Sequence, residues 1–118
     1  MKILPNADNV VIPVEKFTKY ALDPINSNGK HLAFERALGY NLTNYLSLID
    51  NIRQNIKNFP VVKHIDKGHG VRYSVDMELQ GENGRTARVI TSWIDDKLTG
   101  EMRLTSAYVK KRKGDDFD

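Results

Sequence analysis

The stretch Arg72–Asp95, RYSVDMELQGENGRTARVITSWID, carries the strongest fold signal in the chain. Apolar and polar residues alternate along its first run, RYSVDMELQ, and the second run, RTARVITSWID, is the next predicted strand. A period of two is typical of a strand with one buried face. Gly81–Gly84 separates the two runs, and its Asn-Gly pair favours a tight hairpin turn. The stretch therefore predicts two antiparallel strands.

Residues on either side extend this hairpin into a larger sheet. The turn Asp96–Gly100 leads into a third alternating strand, EMRLTSAYVKK. The apolar run Asn9–Ile12 is a candidate for one further strand. The sequence thus predicts an antiparallel meander of three strands that the N-terminal run could join.

Helical spacing of apolar residues dominates the chain before the sheet. The predicted helices are Val14–Leu22, Lys30–Leu38 and Leu42–Phe59. Pro24, Gly39 and Pro60 follow them as stop signals, and Asn41 or Thr43 is expected to cap the third. Helices followed by strands predict an α+β fold, with the helices packed on one face of the antiparallel meander.

The composition fits one domain, residues 1–118, without covalent cross-links. The 118 residues include no cysteine, which excludes disulfides, thiolate metal ligands and cysteine nucleophiles. No apolar run is long enough to span a membrane, and polar residues interrupt the N-terminal run too early for a signal peptide. The formal charge of +3 is a mild bias toward anionic partners such as nucleic acid.

The C-terminal tail concentrates charge of both signs. The basic run Lys110–Lys113 is followed by Asp115, Asp116 and Asp118, so that the tail largely neutralises itself. Residues 111–118 are therefore expected to form a flexible, solvated end of the domain.

The last predicted strand offers a site for phosphate. Strict alternation places Arg103, Thr105 and Ala107 on one face and Leu104, Ser106 and Tyr108 on the other. The first face is expected to be open, and Arg103 and Thr105 could both donate hydrogen bonds to phosphate oxygens. The alternative is an exposed face with a cross-strand ion pair.

Lys30 and His31 stand side by side at the start of the second predicted helix. An imidazole can give or take a proton near neutral pH, which makes His31 a candidate general acid or base. Lys30 would supply positive charge for a phosphate, and a helix N-terminus favours an anion. Both residues could equally be polar helix-end residues in water. The spacing of the histidines matches no metal motif, and neither a metal nor another cofactor is expected.

Two further features of the strands allow two interpretations. Trp93 alternates with Val89 and Thr91 and is either a core residue or a stacking platform for a base. Asp76 and Glu78 could balance arginines across the sheet instead of forming a carboxylate pair for hydrolysis. No glycine-rich phosphate loop and no nucleophile elbow is present.

Four motifs together resemble a known family. They are LPNADNVVIPVEKFTKYALDP (4–24), GKHLAFERALGY (29–40), RYSVDMEL with the following G-NG-T-V-SWI pattern (72–94), and RLTSAYV (103–109). This order is similar to that of the DUF6883-type domain, which lies at the C-terminal ends of bacterial polymorphic toxins and phage-head-linked proteins. The resemblance covers nearly the whole chain up to Val109.

The resemblance implies a nuclease of the barnase–EndoU–colicin–RelE (BECR) fold group. Members look like metal-independent ribonucleases, several of which cleave tRNA during contact-dependent growth inhibition, and each is neutralised by a cognate immunity protein. Such a domain would be delivered as the C-terminal part of a larger secreted or cell-surface protein and would act in the cytoplasm of the target cell. The matching positions are Lys30, His31, Arg103, Thr105, Ser106 and Tyr108.

The function expected on this basis is a metal-independent endoribonuclease toxin. The ribose 2′-hydroxyl would attack the adjacent phosphorus and leave a 2′,3′-cyclic phosphate. His31 is the candidate acid or base, Lys30 and Arg103 would stabilise negative charge, and Thr105 would hold a phosphate oxygen. Tyr108, Lys30 or Asp76 would take the second proton role. The residues expected to contact RNA are Ser106, Arg72, Arg88, Trp93 and Lys110.

Two other functions stay open at this stage. The chain could be a non-catalytic module of a larger secreted or phage-associated protein, binding protein or nucleic acid through the polar sheet face. It could also be an immunity or inhibitor protein, although such proteins are commonly acidic when they meet a basic nuclease and this chain carries +3.

Overall fold

The computed structural model describes residues 2–66, 68 and 70–111. The helical elements are a 3₁₀ turn (Ala7–Asn9), a π-helical turn (Phe17–Ala21), helix α1 (Lys30–Leu38), helix α2 (Tyr45–Asn55) and a second 3₁₀ turn (Ile56–Asn58). The strands are β1 (Val61–Asp66), β2 (Val71–Gln80), β3 (Thr86–Asp95) and β4 (Met102–Val109). They form one antiparallel sheet in the order β1-β2-β3-β4. The predicted α+β meander is confirmed.

The core lies between the helices and one face of this sheet. The alternating residues Val75, Met77 and Leu79 of β2 point into it, and all are at most 1% exposed. Phe34 and Leu38 of α1 belong to the same core cluster at 0% exposure, with α1 packed on β3 and β4. The burial of these apolar side chains removes them from water and holds the helical layer on the sheet.

One glycine fixes how α1 meets the β2–β3 hairpin. Gly81 lies against the end of α1, where an added Cβ would be 2.1 Å from the carbonyl oxygen of Leu38. Only a residue without a side chain fits at this distance. The hairpin turn predicted from the Asn-Gly pair therefore also serves as a packing site for the helix.

The third predicted helix is shorter than its apolar pattern suggests. The predicted bounds Leu42–Phe59 are too wide, because α2 covers Tyr45–Asn55 and only the 3₁₀ turn Ile56–Asn58 continues it. Before it, the Asn41 side chain accepts from the backbone N–H of Thr43 and the Asn44 side chain accepts from that of Asn41, each at 2.8 Å. These local bonds close a turn and delay the start of the helix.

The N-terminal run and β1 complete the sheet at its two edges. Val11 joins β4 through a parallel bridge to Arg103, its N–H donating to Met102 and its carbonyl accepting from Leu104.

The sequence patterns did not predict strand β1. Three consecutive exposed residues, from Val62 to His64, interrupt the alternation that marks the other strands. A bulge after Val61 also shifts its register.

A bulge in β4 changes which residues face the solvent. Ser92 pairs with Ser106 and Trp93 pairs with Leu104, so that Thr105 is an extra residue without a cross-strand partner. Such a bulge reverses the alternation beyond it. The predicted division of β4 into two strictly alternating faces is therefore wrong: Leu104 and Ala107 are both buried, while Ser106 and Tyr108 are exposed.

Candidate active site

A cleft lies along the outer edge of β4, on the helical side of the sheet. Its volume is about 240 Å³, and we call it the edge cleft. The side chains and backbone that line it are those of Lys16, Tyr20, Ala21, Asn26, Ser27, Asn28, Lys30, Thr105, Ser106 and Ala107. The π-helical turn and the loop before α1 form one wall, and the bulged part of β4 forms the other.

The bulge presents two hydroxyl groups to the edge cleft, and they differ in availability. Thr105 donates its hydroxyl proton to the carbonyl oxygen of Ser92 at 3.1 Å. Ser106 is exposed, and its hydroxyl makes no hydrogen bond within the part of the chain that the structure describes. Ser106, more than Thr105, can therefore donate to an oxygen of a bound ligand.

His31 is oriented by a serine from the preceding turn. The Oγ of Ser27 lies 2.7 Å from Nδ1 of His31 and accepts the backbone N–H of the same residue at 3.1 Å. Ser27 is only 4% exposed and lines the edge cleft. The half-buried imidazole is therefore fixed through Nδ1, which leaves Nε2 as the ring nitrogen for another partner.

Asp23 holds the loop that carries Ser27. Its carboxylate accepts the backbone N–H of Ile25 at 2.9 Å and the side-chain amide of Asn26 at 2.8 Å. The Ile25 N–H is the main reason why the pKa of Asp23 lies below its usual value, with smaller contributions from Asn26 and from the charge of His31.

Lys30 connects the two walls of the edge cleft at its rim. Its Nζ lies 5.5 Å from the centre of the Tyr108 ring, within range of a cation–π contact. Among the residues that the structure describes, no carboxylate forms an ion pair with Lys30. Lys30 thus brings positive charge to the cleft beside the Tyr108 side chain.

Arg103 has a different environment. Its guanidinium pairs with Glu101 at 2.7 Å and with Asp96 at 3.7 Å, at the end of β4 next to the β3–β4 turn. It is not among the described residues that line the edge cleft, and neither is His31. The structure therefore brings Lys30, Thr105, Ser106 and Tyr108 together, and it places Arg103 with two carboxylates.

A second cleft lies on the open face of the sheet and reaches the same bulge. Its volume is also about 240 Å³, and we call it the sheet cleft. Its lining comprises Lys63, Ile65, Arg72, Tyr73, Ser74, Ser92, Trp93, Thr105 and Ser106. Thr105 and Ser106 line both clefts, so the bulged segment of β4 is their common wall.

Arg88 and Lys110, which were also expected to contact RNA, both pair with a carboxylate. Arg88 donates through Nε to Asp76 at 3.0 Å and forms a second bond with the same carboxylate, while Lys110 lies 3.6 Å from it. The hydrogen bond that Arg88 donates to Asp76 holds the pKa of the guanidinium above its usual value. Arg88 and Lys110 therefore form an ion-pair cluster across β2, β3 and the end of β4.

Trp93 lies in the core. Its side chain is 0% exposed, and its indole N–H donates to Thr91 Oγ1 at 2.9 Å, which in turn donates to the carbonyl of Val75 at 3.1 Å. A buried ring offers no face on which a base can stack, so the structure favours the core interpretation of Trp93.

Sequence reasoning missed several residues of these clefts, among them Ser27 and Lys63. The Ser27 hydroxyl accepts the backbone N–H of His31, but Ser27 lies two residues before the N-cap Gly29, outside the spacing of the usual cap signal. Lys63 belongs to the strand that was not predicted, so its place in the sheet cleft had no sequence signal.

The described residues include neither a metal-binding cluster nor a membrane-spanning helix. No group of three or more histidine or acidic side chains there is arranged to hold a metal ion. None of the helices described is long and apolar enough to cross a membrane.

Comparison with known proteins gives the chain a family and a structural relative. Residues 3–111 match the model of the Domain of unknown function DUF6883, and the chain belongs to that family. The fold is similar to that of a chain in the contact-dependent growth inhibition toxin–immunity protein complex from Klebsiella pneumoniae 342. The TM-score is 0.67 at 19% identity, covering 85% of this chain and 99% of the other. The chain matches no curated protein.

Proposed function

We propose that this chain is the toxic domain of a larger bacterial protein and that it cleaves RNA without a metal ion. The observation that carries the proposal is the edge cleft, which is lined by Ser27, Lys30 and Ser106 and where Ser27 binds the imidazole of His31. The membership in DUF6883 and the fold shared with a chain of a toxin–immunity complex support the toxin part. The BECR fold group stays a prediction.

His31 is the proposed proton acceptor. When Nδ1–H donates to Ser27 Oγ, the lone pair of Nε2 is free to take the proton of a ribose 2′-hydroxyl. The 2′-oxygen then bonds to the adjacent phosphorus while the bond from phosphorus to the 5′-oxygen breaks. The products are a 2′,3′-cyclic phosphate and a 5′-hydroxyl, whose proton comes from Tyr108 or Lys30 in our proposal.

Lys30 is the proposed source of charge stabilisation. Its ammonium group lies at the rim of the edge cleft and has no carboxylate partner among the described residues. Positive charge that is already in place stabilises the extra negative charge that develops on the phosphorane. Arg103, which is held by Glu101 and Asp96, contributes less to this stabilisation in our proposal.

The phosphate-holding hydroxyl is assigned to Ser106 in place of Thr105. The Thr105 hydroxyl donates its proton to the carbonyl oxygen of Ser92, so the Thr105 side chain supports the shape of the bulge. Ser106 is exposed at the point where the two clefts meet and can donate to a phosphate oxygen.

The proposed biology follows from the toxin assignment. We propose a cognate immunity protein as the partner, delivery as part of a larger secreted or cell-surface protein, and action on tRNA or another RNA in the cytoplasm of the target cell. The complex that contains the similar fold supports a protein partner of this kind.

Incubation with total RNA in EDTA tests the activity. We expect cleavage by the chain made in a cell-free system, with 2′,3′-cyclic phosphate on the new ends. His31→Ala should lower the rate by about 10²–10⁴-fold, the usual contribution of a general acid or base. His64→Ala is the matched control, because His64 is exposed and stacks on Tyr73 outside the edge cleft.

The possible results test the proposed RNA cleavage and the role of His31 separately. Intact RNA after prolonged exposure would contradict the proposed activity, and RNA that is bound but uncut would favour a non-catalytic binding module. Cleavage that His31→Ala does not slow would keep the activity and remove His31 from the mechanism.

A further inference from the structure

We propose that the sheet cleft is a second phosphate-binding subsite, and that the substrate is single-stranded RNA passing from the edge cleft over the β4 bulge into the sheet cleft. This inference rests on the proposed function for the identity of the ligand. Its structural basis is the pair of clefts that share Thr105 and Ser106.

A row of hydroxyl groups crosses the open face at this position. Ser74 pairs with Ser92, and Ser92 pairs with Ser106, so that all three lie in register on neighbouring strands. Lys63 pairs with Ser74 and ends the row on β1. Because adjacent strands lie about 4.8 Å apart, the three serines span about 10 Å, wider than a single phosphate group.

The row beside the serines adds a planar cation. Arg72 pairs with Ile94, which pairs with Arg103, and Ile65 pairs with Arg72 from the other side. Arg72 is exposed and lines the sheet cleft. An arginine fork can bind two oxygens of one phosphate, and serine hydroxyls can donate to its other oxygens.

The carboxylates near the sheet cleft either lie on the opposite face of the sheet or already bind a basic residue. Asp66 and Asp95 both pair with Val71, one position away from Arg72 and therefore on the opposite face of the sheet. Asp76 lies on the open face but binds Arg88 and Lys110. In the part of the chain that the structure describes, no ion pair involves Lys63 or Arg72.

The arrangement favours a single strand over a duplex. The two clefts lie on different sides of the edge strand, one toward the helices and one on the open face. A flexible sugar–phosphate chain can bend around the bulge at Thr105, whereas a stiff duplex cannot enter both clefts. The contacts are made to the backbone, so we expect little preference for base identity.

The test compares short and long RNA probes that cannot be cut. Labelled 2′-O-methyl oligonucleotides of two and eight nucleotides lack the attacking hydroxyl, so binding is measured without cleavage. We expect Arg72→Gln to weaken binding of the longer probe about tenfold, as expected for losing one charge-assisted hydrogen bond. The slope of log K against log salt should fall by about 0.7, the value for one phosphate of a single strand.

Arg85→Gln is the matched control. It removes the same charge from the turn at the other end of β2, where Arg85 is exposed and lines neither cleft. It should leave the affinity and the salt slope unchanged, and Arg72→Lys should retain most of the affinity. A thermal midpoint for each variant shows that the fold is intact.

Several results would overturn the inference. They are absence of binding to the wild-type chain, equal effects of Arg72→Gln and Arg85→Gln, an equal loss for the two-nucleotide probe, and a duplex that binds as well as the single strand. A loss confined to binding of an acidic protein partner would assign the sheet cleft to that partner. Cleavage by the wild-type chain without any effect of Arg72→Gln would defeat this inference alone, and binding without cleavage would defeat only the proposed activity.

Discussion

The cations around the edge and sheet clefts differ from those at the two ends of the open face. Lys30 and Arg72 line a cleft, and no carboxylate pairs with them among the described residues. Arg88 instead binds Asp76, and Arg103 binds Glu101 and Asp96. All four are basic residues near the sheet, yet only the first pair is free to meet an anion. Whether one of these basic residues can bind an anion therefore depends on the carboxylates around it.

The largest difference between the two groups is expected at Lys30. Lys30→Ala should lower kcat/KM for RNA cleavage by about 100-fold or more, because it removes preset positive charge from the developing phosphorane. Lys57→Ala is the control, since Lys57 pairs with Asp8 away from both clefts. Steady-state cleavage of one labelled oligonucleotide measures both. Equal rates for the two variants would remove Lys30 from the site.

A smaller effect is expected at Arg103. Its ion pairs with Glu101 and Asp96 are partly exposed, and such pairs contribute little to stability. Arg103→Ala should therefore change kcat/KM by less than about fivefold, within the range of one surface ion pair. The same cleavage assay measures it. A loss as large as that of Lys30→Ala would return Arg103 to the catalytic group.

Arg88 is expected to affect stability and not activity. Arg88→Ala leaves the mostly covered carboxylate of Asp76 with Lys110 as its remaining partner, which lowers the thermal midpoint. The cleavage rate of the folded fraction at 25 °C should match that of the wild type. The double variant Asp76→Ala, Arg88→Ala should recover part of the lost midpoint. A reduced rate with an unchanged midpoint would contradict the assignment.

The smallest effect concerns Asp23, whose carboxylate interacts with the charge of His31. The pKa of Asp23 lies below its ordinary value of 3.8, chiefly because Ile25 N–H donates to it. The stability that Asp23 contributes is therefore present above 3.8 and is lost as the pH falls through the lower folded-state value. Thermal midpoints from pH 2 to 6 should fall less steeply for Asp23→Asn. Identical profiles would mean that Asp23 does not hold the loop.

The sequence predicted the parts of the fold that local patterns specify. Alternation placed β2, the Asn-Gly turn placed β3 after it, and the glycine after Leu38 marked the end of α1. The sequence did not predict the bulge at Thr105, because an inserted residue can be recognised only when the register with β3 is known. It also missed β1, whose residues do not alternate. Pairing across strands, more than pattern along them, decides these features.

The site was predictable to a similar degree. Lys30 and Tyr108, which are far apart in the sequence, do meet at the edge cleft. The pairing of Arg103 could have been expected from Glu101, which precedes it by two residues, just before β4 begins. The exchange of Thr105 for Ser106 as the available hydroxyl could not, since it depends on the bulge and on the bond to Ser92.

Mapping the bound ligand by NMR tests the central claim most directly. An uncleavable 2′-O-methyl dinucleotide is titrated into the labelled chain carrying His31→Ala, and the backbone amide shifts are followed. We expect the largest shifts at Ser27–Lys30 and Thr105–Ala107, the two walls of the edge cleft. Shifts confined to the paired cations Arg88 and Arg103, with the edge cleft unchanged, would contradict the account.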